Sequence, residues 1–141
     1  MHRLAVAHDG AKGAVAAEAK APQLARIHGL WGYGQLLRRS AAEAAGVLPL
    51  LADGDHELRA QTAKILGDAP SAAKAVAEKL IPLLADSAPR VRLQAALALG
   101  KMGVPAAVDA LVAFAEKAGT DPVMRHAAVV GLTGCATADQ L

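Results

Sequence analysis

Aromatic side chains are almost missing from this chain, which has one Trp, one Tyr and one Phe in 141 residues. Strands draw on aromatic and β-branched residues, so the scarcity excludes a β-sandwich or barrel core. A single cysteine, Cys135, rules out an internal disulfide framework and a cysteine-based zinc cluster. No apolar run approaches the ~20 residues that span a bilayer. The longest candidate, 104–115, is interrupted by Asp109. The apolar stretch from Leu4 to Ala7 ends at His8 and Asp9, too short for a signal peptide. Residues 1–10 are therefore read as a frayed terminus, and the chain as given as cytoplasmic, with no membrane partner. An excess of one charge is lacking too: 15 Lys and Arg against 13 Asp and Glu leave +2. That balance disfavours a dedicated nucleic-acid binder. Residues 1–46 carry six bases and three acids, a mild basic bias.

Alanine is what the chain has in abundance. The 36 alanines make up nearly half of an apolar fraction of 54%. Alanine is the strongest helix former, so the fold is expected to be all-α. Its side chain is too small to fill a thick globular core, and the missing bulk calls for helices that approach closely.

A repeat supplies the explanation. Leu48-Pro49-Leu50-Leu51-Ala52-Asp53 returns 33 residues later as Ile81-Pro82-Leu83-Leu84-Ala85-Asp86. From 48 to 67, ten of twenty positions are identical under that shift. The same step joins Arg26, Arg59, Arg92 and Arg125, and likewise Tyr33, Leu66, Leu99 and Leu132. Fixed self-similarity at such a period marks a stacked array. Four units follow, at about 11–39, 40–70, 71–103 and 104–136, with 137–141 the start of a truncated unit or a tail.

Each unit reads as a helical hairpin. In the second unit the second helix starts at Asp55, a good N-cap, and ends at Gly67, read as a C′ residue. Leu58, Thr62, Ile65 and Leu66 share one face at helical spacing, matched by Val91, Ala95, Ala98 and Leu99. Asp121 caps the last helix with Pro122 at its first position. First helices are expected over about Ala11–Lys20, from Ser40 with a capping box to Glu43, from Ser71, and near Pro105. Pro49 and Pro82 fall inside first helices, where the missing amide predicts a kink.

The Leu-Pro-Leu-Leu-Ala-Asp and Leu-Arg-x-Gln-x-Ala segments, with Pro89-Arg90-Val91-Arg92-Leu93-Gln94-Ala95-Ala96, carry a resemblance to HEAT-like repeats over residues 11–135. The resemblance implies a right-handed α-solenoid of about four hairpins, first helices convex and second helices concave. In that family the aspartate closing the first helix and the arginine opening the second bond across neighbouring units. The matching positions here are Asp53 with Arg59 and Asp86 with Arg92. The end units depart from the pattern: Lys20 stands in the aspartate position before Arg26, and Asp121 lies four residues before Arg125. A 33-residue period also fits ankyrin repeats, but their Thr-Pro-Leu-His turn is missing. A narrower segment, Arg26-Ile27-His28-Gly29-Leu30-Trp31-Gly32-Tyr33-Gly34, is similar to one in large secreted bacterial proteins. Those proteins join a dehydrogenase-like propeller, HEAT-like repeats and a c-type cytochrome. Kinship with them implies a repeat section of a secreted or periplasmic parent. The haem-attachment motif Cys-x-x-Cys-His is absent from this chain.

Candidate functional residues divide into a ladder and a surface. Arg26, Arg59, Arg92 and Arg125 recur at one position per unit, which favours a structural role over an anion row. Five histidines, His2, His8, His28, His56 and His126, show no ligand spacing, so no metal and no cofactor are expected. Cys135 is read as a buried, inert thiol. Gly29, Gly32 and Gly34 lie in a helix with no preceding strand, so a dinucleotide loop is excluded; they are expected to make room for Trp31 and Tyr33. Tyr33, in a column of leucines, is expected in the core. Trp31 shares its column with Lys64, Leu97 and Val130 and is expected to be partly exposed, packing on a neighbouring helix or anchoring a partner. His28 shares a column with Gln61, Gln94 and Ala127, read as surface-facing. Candidate partner-binding residues are Trp31, His28, Gln61, Lys64, Gln94 and Leu97. The chain is read as a non-catalytic protein-interaction or scaffold module, not an enzyme. The alternatives are an accessory repeat section of a larger haem-containing oxidoreductase, and, less favoured, a nucleic-acid-binding array or a bilin-attaching lyase.

Overall fold

Helices follow from the alanine-rich periodicity, and a computed structural model describes residues 22–69 and 73–137. Its α-helices are α1 (Gln23–Leu37), α2 (His56–Gly67), α3 (Ala73–Leu80), α4 (Pro89–Met102), α5 (Val108–Ala118) and α6 (Pro122–Cys135). Among the described residues there is no strand. The predicted first helix at Ala11–Lys20, the start at Ser71 and the ends 1–10 and 138–141 lie outside the described residues.

The elements form two layers. The second helices α1, α2, α4 and α6 stack in chain order, and the first-helix segments stack beside them. Between the layers runs one elongated core. Leu30, Leu37, Leu58, Leu66, Leu80, Leu99 and Leu111 are buried to within 1%. Alanines at 60, 63, 95, 96, 107, 127 and 128 are buried with them, where small side chains let backbones meet. The molecule is an all-α repeat solenoid, and its alanine content is the filling of a thin, extended core.

The first-helix layer departs from the sequence expectation. In the second unit it is two 3₁₀ segments, Ala41–Gly46 and Leu48–Ala52, with no α-helix between them. In the third, α3 gives way to a 3₁₀ segment at Ile81–Ala85. Pro49 and Pro82 each stand in the opening turn of a 3₁₀ piece; Pro82 follows α3 and starts a tighter helix, whereas the segment before Pro49 is itself 3₁₀. The expected kink is thus a change of helix type at Pro82 and a break between two 3₁₀ segments at Pro49. Ser40 sits in extended conformation at its N-cap but makes no side-chain cap bond, so its half of the expected capping box does not form.

The second helices keep their predicted starts. Asp55 accepts from the Glu57 N–H, and Asp121 accepts from the Val123 and Met124 N–H groups with Pro122 following. The end of α2 differs from expectation. Gly67 is helical, and among the described residues only Gly103 and Gly119 have positive φ, at 62° and 53°. Gly67 is needed for proximity instead: a Cβ there would lie 2.6 Å from Ala98 Cα. A Cβ on Gly100, one period on, would likewise lie 2.7 Å from the Val130 carbonyl oxygen. The column 34, 67, 100 is where consecutive second helices touch.

Candidate functional site

The arginine ladder exists, and its carboxylate bonds run across neighbouring units as the resemblance implies. Arg26 binds both carboxylate oxygens of Asp53. Arg59 donates from Nε and Nη2 to Asp86, both at 2.9 Å. Each carboxylate is therefore taken by the arginine of the preceding unit, 27 residues earlier. Arg59 also donates to the Asp53 carbonyl at 2.8 Å, and Arg92 to the Asp86 carbonyl at 2.8 Å. One arginine thus ties its own inter-helix loop to the next unit. The ladder stops at Arg92 because the matching position in the fourth unit is Gly119, which has no carboxylate. Arg125 is exposed, and among the described residues no ion pair reaches it.

These contacts set the protonation of the acids. Hydrogen bonding from Arg59 holds Asp86 below the usual carboxylate range, against the opposing effect of burial. Burial works to raise Asp53, but Arg26, the Asp55 N–H and Arg59 together hold it low. Arg59 is in turn pushed up by Asp86.

A second network crosses the face of the second helices. Trp31, 46% exposed on α1, donates its Nε1–H to Gln61 Oε1 at 2.9 Å. Gln61 Nε2 donates to Glu57 Oε1 at 2.8 Å, and Arg90 Nε pairs with Glu57 Oε2 at 2.7 Å. His28 stacks on the indole with ring centroids 5.5 Å apart. The network links α1, α2 and α4. It also corrects the reading of the His28 column as surface-facing. His28 is exposed, whereas Gln61 is only 7% exposed because both ends of its amide are bonded, and Ala127 is buried. Gln94 and Leu97 are half-buried on α4, and Lys64 is exposed on α2.

At the C-terminal ends of the same helices, Asp68 gathers three cations. Lys64 reaches it at 3.2 Å, Arg38 at 3.9 Å, and Lys101 closes on its other oxygen. Burial works to raise the Asp68 carboxyl, but Lys101 and Lys64 hold it low. Beside it, Trp31, Gly34, Gln35, Arg38, Lys64 and Ile65 line a groove of about 230 Å³ between α1 and α2.

The glycines of α1 do not act as expected. Around Gly29 and Gly32 there is open space, so neither makes room for a bulky neighbour. A Cβ on Gly34 would lie 3.1 Å from Ile65 Cγ2, and the space for buried Tyr33 comes from Gly46, where a Cβ would collide with the phenol. Cys135 is buried and donates to the Leu99 carbonyl at 3.1 Å, with burial pushing its thiol up. Among the described residues no cluster of His, Cys, Asp or Glu could hold a metal ion, and no helix is long and apolar enough to cross a membrane.

Residue-by-residue reading missed Asp68, Glu57, Arg90 and Lys101. A signal for them exists: Glu57 and Arg90, like Asp68 and Lys101, stand one full period of 33 residues apart. A column that changes charge sign between consecutive units marks a bridge between them.

Among curated proteins no relative matches the chain. The profile of HEAT repeats matches residues 44–133, which takes in the stacked hairpins from the end of the first 3₁₀ segment to the last turn of α6. With the period, the ladder and the two-layered stack in agreement over well more than half of its length, this chain belongs to the HEAT repeat family.

Proposed function

We propose that the protein is a non-catalytic binding module that engages a protein or peptide partner on the face of its second helices. HEAT repeats generally serve as protein-interaction scaffolds, and this chain shares their architecture. One observation carries the reading: a large aromatic, Trp31, stands half-exposed while its indole N–H is fixed by a buried amide. A residue held in one orientation but left open to solvent on one side suits an anchor, because little side-chain freedom is lost on binding. Gln61, Glu57 and Arg90 extend that order across three helices, so the surface is preorganised over neighbouring units. Lys64, Gln94 and Leu97 complete the candidate surface on α2 and α4.

The test is partner capture from the source cell's extract by the purified chain and by its variants. Trp31→Ala, Gln61→Ala, Lys64→Ala and Leu97→Ala are each expected to reduce recovery of the same partner. Undiminished capture by all four, in proteins that keep their helical circular dichroism, sinks binding on this face.

A further inference from the structure

We propose that the groove between α1 and α2 receives an acidic peptide segment. Its carboxylates bind Arg38, Lys64 and Lys101, and an aliphatic side chain lies on the Trp31 indole. The inference rests on the reading of the second-helix face as a binding surface and names the chemistry of its partner. Three cations surround one carboxylate at this end of the stack, so a positive excess remains after Asp68 is paired. The side chains of Arg38, Lys64 and Lys101 are each about half-exposed, at 54%, 47% and 50%. Each ammonium has three donors, and Asp68 takes one from each lysine. Asp68 thereby holds the cations in place while leaving donors directed at solvent.

The opposite end of the face has no such excess, because Arg26, Arg59, Arg90, Arg92 and Arg125 there are matched in number by Asp53, Asp55, Glu57, Asp86 and Asp121. The segment is thus confined to the C-terminal ends of α1, α2 and α4. Packed helices lie about 10 Å apart, so three span about 20 Å, the reach of about six extended residues. The groove of about 230 Å³ takes side chains, not a folded domain. A phosphate backbone fits less well: Asp68 lies in the middle of the cations, and α6 continues the row with Thr133 and Gly134, which bear no charge.

The chain's only tryptophan is Trp31, so its fluorescence reports the groove directly. The probe is a short, end-blocked peptide alternating glutamate and leucine, with a glutamine-for-glutamate counterpart as control. The acidic peptide is expected to shift Trp31 emission saturably, and the control to bind at least about tenfold more weakly. Arg38→Gln, Lys64→Gln and Lys101→Gln, all at exposed positions, are each expected to weaken binding about two- to fivefold, and salt to weaken it further. The inference is overturned by absence of saturation, by equal binding of the control peptide, or by folded variants that bind unchanged. Tighter binding of a short duplex DNA at the same ionic strength overturns it in favour of nucleic acid. Failure of the acidic peptide alongside Trp31-dependent partner capture removes this inference alone; failure of both removes the binding surface itself.

Discussion

A methyl group added at Gly67 meets the backbone of Ala98 at 2.6 Å, whereas one added at Gly32 meets open space. Both glycines are helical, so the sequence presents them alike and only the stacking separates them. Gly67→Ala is expected to destabilise the fold by about 1–3 kcal/mol through overpacking. Gly32→Ala is expected to stabilise it by about 0.5–1 kcal/mol, because helix-interior glycine carries an entropic penalty. Urea unfolding of the two variants checks both signs. Charge offers a second contrast at this scale. Asp86, held low by Arg59, and Asp53 and Asp68, where nearby cations outweigh burial, stay ionised in the fold at a pH where unfolded carboxylates are already protonated. Their contribution is complete above the ordinary aspartate pKa of about 3.9 and is lost as pH falls through the lower folded values. The melting temperature is therefore expected to drop as pH is lowered below about 5. Asp86→Asn should cost about 1–3 kcal/mol at neutral pH and flatten that acid dependence. An unchanged acid slope in Asp86→Asn would remove the ladder from the account of stability.

Helix starts were legible because a cap is local chemistry. Asp55 and Asp121 each precede their helix and accept its first free N–H groups, as the spacing predicts. Asp55 has a further partner that no local reading supplies: it accepts from Gln23 Nε2 of the preceding unit at 2.8 Å. Asp121→Ala is expected to cost about 1 kcal/mol, the usual effect of losing a cap. Asp55→Ala should cost more, since it also loses a bond between units; equal costs would show the Gln23 contact to be idle. The first-helix layer was less legible. Proline marks a disturbance in the helix, but whether it kinks an α-helix or starts a 3₁₀ piece depends on how the segment packs. In the second unit Gly46 gives way to the Tyr33 ring, and Leu50 and Leu51 turn into the core through the tighter spiral.

On the scale of the whole molecule, the period was the most legible feature, and it accounts for the stack, the buried alanines and the position of every ladder arginine. Pairing across units follows from the family resemblance, not from spacing alone. Asp53 and Arg59 are near in sequence, yet the carboxylate goes to Arg26 of the preceding unit, because stacking, not chain proximity, brings the groups together. The surface network has the same origin. Trp31, Gln61, Glu57 and Arg90 come from three helices, and only their stacking makes one ordered face of them. Hydrogen–deuterium exchange of the chain with and without its captured partner tests binding on that face directly. Binding on this face is expected to slow exchange in α1 and α2 around Trp31, Gln61 and Lys64, with the first-helix layer unaffected. Slowed exchange confined to α3, α5 and the 3₁₀ segments would place binding on the opposite face and contradict it.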